Sequence, residues 1–155
     1  MEHDLKKLVF DVKDELIIFH LLDAAEMEQV LPYFEVMDCP AGTTIFKEGD
    51  DGDYACFIAS GQFEVKIQTE FKGKQVIIAL LGKGSIVGEM SLTDQHPRSA
   101  TVVSRVDSKL IILRREAVES ISQKSPQIGI KILMGLNRVL SIRLRQTVKR
   151  LIGIF

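Results

Sequence analysis

A chain of 155 residues and 17.4 kDa has room for one ordinary core and not for two independent ones. With 46% hydrophobic and 26% charged residues, and only 15 glycines and prolines together, it lies inside the globular range and outside the disordered and collagen-like ones. Basic and acidic side chains nearly cancel, 20 against 21, but not locally: residues 126–155 hold six bases (Lys131, Arg138, Arg143, Arg145, Lys149, Arg150) and no acid, leaving residues 1–125 at a net −7.

The chain opens Met1-Glu2-His3-Asp4, without the basic start and small-residue cleavage site of a secretory leader. Its early apolar run, Leu16 to Leu22, is interrupted by His20 and falls short of the roughly 20 residues that cross a bilayer. A cytoplasmic protein with no membrane span is implied. Residues 1–33 are predicted helical, with the clearest signal at Asp23 and Glu26. These form a capping box for a short helix that runs to about Leu31 and ends at Pro32.

From residue 34 the period shortens. Runs rich in Val, Ile, Phe and Thr predict strands at Phe34 to Asp38, Thr43 to Lys47, Tyr54 to Ala59, Phe63 to Thr69, Gln75 to Leu81, Ser85 to Val87, Ala100 to Val106 and Lys109 to Leu113. Phe63, Val65 and Ile67 alternate with polar residues, as in a half-buried strand. Val76 to Leu81 is apolar throughout and is expected to be covered on both faces. The fold class is therefore mainly β with flanking helices: an antiparallel β jelly roll over 34–114 within a single domain of 1–155. Cys39 and Cys56, lying 17 apart, suit small core side chains in a reducing compartment better than a disulfide or a zinc site.

After Leu113 the helical period returns, over Arg115 to Gln123 and then in a long helix that Ser125 should cap and Pro126 should open. Leu133, Leu136, Leu140, Leu144, Val148, Leu151 and Phe155 form one apolar stripe along it.

The segment best placed to do chemistry lies between two predicted strands: Gly88-Glu89-Met90-Ser91-Leu92, then Pro97-Arg98-Ser99-Ala100-Thr101-Val102. A short turn of helix starting at Gly88 would aim the amides of Glu89, Met90 and Ser91 at an anion. Arg98 adds a planar fork of donors suited to phosphate, and Ser99 a hydroxyl. Glu89 would be repelled by a bare anion, but it suits a ligand that also presents hydroxyl donors, such as a ribose.

This combination resembles the phosphate-binding cassette of the cyclic nucleotide-binding domain, the module of bacterial catabolite-activator proteins, cyclic-AMP-dependent kinase regulatory subunits and cyclic-nucleotide-gated channels. The resemblance extends to Pro40-Ala41-Gly42, Phe46 to Asp50 and Phe57 to Gly61, and covers roughly residues 16–145. It implies that Arg98 pairs with the cyclic phosphate and that Glu89 accepts from the ribose 2′-hydroxyl. Gly88, Met90, Ser91, Ser99 and Ala100 would line the phosphate, and Val65 and Ala79 the apolar side of the base. Two departures from the family pattern stand out. Ile86 replaces an aromatic residue, and Arg143 and Leu144 stand where the long helix supplies base contacts. Arg143 is thus either a base ligand or part of a solvated basic face. Ser99 leaves adenine and guanine open.

The expectation is a non-catalytic, stand-alone sensor of a cyclic mononucleotide, cyclic AMP more than cyclic GMP, that needs no cofactor or metal. It would form a homodimer through the C-terminal helix and act on a separate effector protein. The chain ends at Phe155 before a helix-turn-helix could follow, so sequence-specific DNA binding by this chain is not expected. Four alternatives remain: a jelly-roll interaction module without nucleotide, a cupin-like metalloenzyme, a truncated transcription regulator, and a basic helix resting on an anionic membrane or nucleic acid. The cupin reading lacks its His-x-His pair, since His3, His20 and His96 are scattered. Gly82 to Gly88 is one residue too long for a dinucleotide fingerprint, and Asp50-Asp51-Gly52-Asp53 lacks the spacing of a calcium loop. Ser91, Asp94 and His96 sit too close in one loop for a catalytic triad.

Overall fold

A computed structural model describes residues 2–153; the last position of the predicted stripe, Phe155, lies outside the described residues. Four helices run α1 (Glu2–Val12), α2 (Ala24–Val30), α3 (Arg115–Lys124) and α4 (Pro126–Ile152). Eight strands run β1 (Phe34–Cys39), β2 (Thr44–Phe46), β3 (Tyr54–Ser60), β4 (Gln62–Gln68), β5 (Gln75–Gly82), β6 (Ile86–Val87), β7 (Thr101–Ser104) and β8 (Ser108–Arg114). All pairings are antiparallel, in two sheets ordered β1-β8-β3-β6 and β2-β7-β4-β5. Every predicted strand is present, with no end moved by more than two residues.

The two sheets face each other across a core of Phe46, Cys56, Ile58, Phe63, Val102, Leu110 and Ile112. Alternation sends the intervening residues of β3 and β8 the other way. Ala55, Phe57, Ile111 and Leu113 meet the helices in a second core with Val9, Met27, Ile121, Ile132 and Leu136. Phe34 meets Phe19 and Phe57 edge to face in it, and Phe19 and Phe57 lie tilted to each other, with ring centroids 5.2 to 6.3 Å apart.

β3 and β8 are therefore the strands covered on both faces, and the expectation for Val76 to Leu81 is corrected. β5 is the edge of the sheet that no helix covers, and Val76, Ile77, Ile78 and Leu80 are 45% to 54% exposed. Continuous apolarity marks a covered strand only where a second layer exists to cover it.

The helices bring further corrections. α1 lies in the segment predicted helical, ahead of the one helix the sequence delimited there; Leu5, Leu8, Val9 and Val12 give it one apolar face on the helical core. The Asp23–Glu26 capping box forms as read, at 2.8 and 3.0 Å. Pro32 does not end the chain's turning: it sits inside a 3-10 turn, Leu31–Tyr33. Pro126 opens α4, but the Ser125 side chain makes no cap bond.

α4 packs on the roll through Ile128, Gly129, Ile132, Gly135, Leu136 and Val139, so the predicted stripe is only partly the packing face. Leu136 is buried, whereas Leu133, Leu144, Val148 and Leu151 are exposed. Gly135 permits the closest approach, because a methyl group there would stand 1.9 Å from the Ile18 carbonyl oxygen.

Candidate functional site

The chain crosses from β6 to β7 through residues 88–100, and this crossing builds one wall of a cavity of about 570 Å³. Gly88 turns the backbone at φ 70°, a left-handed conformation that favours glycine, and a 3-10 turn over Glu89–Leu92 follows at once. The opposite wall is the β4–β5 hairpin, through Val65, Ala79 and Leu81, and the roof is the second half of α4. The cavity brings together Val65, Ala79, Gly88, Glu89, Met90, Ser91, Arg98, Ser99, Ala100 and Arg143, which the sequence scatters over 79 positions.

Arg98 is 4% exposed. It donates through Nη1 to Ser91 Oγ at 3.0 Å and to Gly88 O at 3.3 Å, and through Nη2 to Tyr54 O at 2.9 Å. Its guanidinium lies 4.0 Å from the Phe46 ring centroid and 4.6 Å from that of Tyr54. No carboxylate of the described residues pairs with it, and its Nε is buried without a hydrogen-bond partner. A buried cation held by neutral acceptors and aromatic faces retains most of its charge for a ligand, since carbonyl dipoles solvate it without cancelling it.

Glu89 is 6% exposed and does meet a cation. Arg143 of α4 donates to its Oε1 at 2.5 Å and, through its other terminal nitrogen, to the Ile86 carbonyl. One carboxylate oxygen is thereby tied to the long helix, and the other accepts no hydrogen bond from the described residues. The solvated-face reading of Arg143 is corrected: its charge serves the cassette.

Leu144, the departure from the family pattern on this helix, is 66% exposed and absent from the lining. Gln146, Thr147 and Arg150 take its place, at three, four and seven residues beyond Arg143 and so on the same helical face. That spacing was the signal available in the sequence. Phe46 and Tyr54, whose edge-to-face rings both lie against Arg98, carried no such signal, because ring contacts depend on strand packing.

Ser91 Oγ is engaged by Arg98, and the His96 ring faces the Pro97 carbonyl, so Ser91, Asp94 and His96 share no chain of bonds of the catalytic kind. Among the described residues, no group of three or more His, Cys, Asp or Glu is arranged to hold a metal ion, and no helix is long and apolar enough to cross a membrane.

An antiparallel roll with a buried arginine and a sequestered acid facing one cavity under a long helix defines a class of receptor domain. Residues 36–125 match the cyclic nucleotide-binding domain family, and the chain belongs to it. The cyclic AMP receptor protein of Thermus thermophilus is 35% identical over 129 residues, which are 83% of this chain and 57% of that protein. A cAMP-dependent protein kinase regulatory subunit of Pyricularia oryzae is 32% identical over 107 residues, 68% of this chain and 26% of that one. Among solved structures, a cyclic nucleotide-binding domain from Methylobacillus flagellatus matches with a TM-score of 0.83 at 30% identity, covering 92% of this chain and 83% of that one. This chain thus spans little more than half the length of the Thermus receptor.

Proposed function

We propose that this chain is a cytoplasmic, non-catalytic receptor for a cyclic mononucleotide, preferring cyclic AMP to cyclic GMP, which folds as a single domain. The observation that carries the reading is Arg98: a cation 4% exposed at a cavity wall, with no carboxylate of the described residues paired with it. A cyclic phosphate supplies that anion. Gly88, Met90, Ser91, Ser99 and Ala100 would surround it, and the unengaged oxygen of Glu89 would accept from the ribose hydroxyl. Val65 and Ala79 offer the base an apolar wall, and Gln146, Thr147 and Arg150 offer it polar contacts. The preference for adenine rests on the relatives named for cyclic AMP, because Ser99 favours neither base.

The signal leaves through α4. A ribose on Glu89 competes for, or reorients, the carboxylate that Arg143 grips, so occupancy biases where the helix lies. The exposed Leu144, Val148 and Leu151 make that helix suited to pair with a second copy, and a separate effector would read the pair.

Calorimetric titration tests the reading. The wild type should bind cyclic AMP, and Arg98→Ala should weaken binding by about 30-fold or more, the cost of removing one partner of a desolvated charge pair. Equal affinity in the two proteins would overturn the assignment of Arg98 to the phosphate.

A further inference from the structure

Arg115, the first residue of α3, is absent from the cavity lining, yet its side chain reaches the back of the cassette. Its Nε donates to Ser91 O at 2.7 Å, and its Nη2 to Gly52 O at 2.7 Å and Asp94 O at 2.9 Å. Its backbone N–H donates to Asp53 O at 2.7 Å. One guanidinium thus gathers carbonyls from the β2–β3 connection and from the cassette turn, and no carboxylate of the described residues pairs with it.

Two of those carbonyls belong to residues that flank Arg98. Ser91 accepts from Arg98 through its hydroxyl at 3.0 Å. At Gly52, a side-chain carbon would stand 2.3 Å from Arg98 Nε and 2.8 Å from Ser91 Oγ. Gly52 and Ser91 are therefore the sides of the slot in which the Arg98 guanidinium lies, and Arg115 holds both from behind. Arg115 sits there against the local rules for a helix start. A cation opposes the helix dipole at an N-terminus, and Arg114 in the cap position makes no side-chain cap bond. A residue kept where helix formation disfavours it points to a duty elsewhere.

We propose that Arg115 is a positioning residue for the anion site: it fixes the Gly52–Ser91 slot, and through it the aim of Arg98, and it ties that slot to the start of α3. It does not touch the ligand. The inference rests on the reading of the cavity as a cyclic mononucleotide site, and the experiments separate the two.

The first is a double-mutant cycle on cyclic AMP affinity with Arg115→Met, Arg98→Lys and the double variant. Arg115→Met alone should lose about tenfold, as outer partners of a binding group do. In the Arg98→Lys background it should lose little more, because the slot no longer holds a guanidinium. Additive losses would overturn the inference. Arg115→Lys keeps the charge but not the fork that spans three carbonyls, so it should not restore affinity; full restoration would also overturn it. The second is amide hydrogen exchange without nucleotide. Arg115→Met should speed exchange at Ser91 to Ser99 and leave β3 and β8 unchanged. If the wild type binds no cyclic AMP, the functional reading fails, and this exchange measurement alone decides on Arg115: unchanged protection of residues 91–99 would refute it.

Discussion

Glu89 and Arg143 show what a carboxylate costs in such a cavity. The Glu89 side chain is 7% exposed and that of Arg143 37%, so the pair joins a desolvated acid to a half-screened base. Removing the base strands the acid. Arg143→Ala should lower stability by about 1.5 kcal/mol, the lower end for a hydrogen bond to a charged group, since solvent screens the Arg143 side. Adding Glu89→Gln should recover part of it in denaturant unfolding. A double variant whose loss equals the sum of the two single losses would show that the two side chains are not coupled.

Cys56 is a second residue with a measurable charge balance. Burial pushes its thiol up from 9.0 to about 12, with Arg98 pulling the other way. Burial also raises Cys39 and Tyr54. For groups whose folded values are raised, stability is complete below the unfolded value and is lost as pH climbs through the folded one. Unfolding free energy should therefore hold to about pH 9 and then fall, by about 1.4 kcal/mol per pH unit for each group involved. Denaturant curves at pH 7, 9 and 10.5 should show the fall, and Cys56→Ala should make it shallower. A wild type as stable at pH 10.5 as at pH 7 would contradict this account.

At the scale of elements, α4 does two jobs with one sequence. Up to Val139 it is a core helix, and beyond Arg143 it is exposed on every side. The leucine spacing was visible in the sequence, but which leucines face the roll was not. The choice is made by Gly129 and Gly135, whose missing side chains let the helix settle on Ser122 and on the Ile18 carbonyl. A periodicity reading counts apolar residues and passes over glycines. Gly135→Ala should cost about 1–3 kcal/mol in thermal or denaturant unfolding, as overpacking does, because the clash is with backbone rather than a movable side chain. An unchanged midpoint would mean that α4 does not rest where described.

The roll itself was legible because its strands are short, alternating and separated by turn residues. The cassette was legible because its residues lie within 15 consecutive positions. What escaped needed three dimensions: Phe46 and Tyr54 against Arg98, Arg115 behind Ser91, and the exposure of β5, which only the absence of a covering layer decides.

For the whole molecule, the charge split noted in the sequence has a mechanical consequence. Pairing of two copies through the far half of α4 brings Arg145, Lys149 and Arg150 of one near those of the other. Salt screens that repulsion, so the proposed dimer should tighten as ionic strength rises from about 0.05 to 0.5 M. Sedimentation equilibrium would register it. Leu144→Glu with Val148→Glu should give a monomer at every salt concentration. A wild type that stays monomeric at high salt would remove the dimer from the account.

The β4–β5 hairpin closes its side of the cavity as a single layer. Ala79 and Leu81 face the cavity while Ile77 and Leu80 meet water, so the barrier between a captive molecule and bulk solvent is one ribbon thick. Thin barriers of this sort fray at a fraction of the free energy needed to melt a double-covered strand such as β8. Escape would then run at the pace of that fraying, and deuterium uptake along 75–80 would outrun uptake along 110–113 by orders of magnitude in the protein without nucleotide.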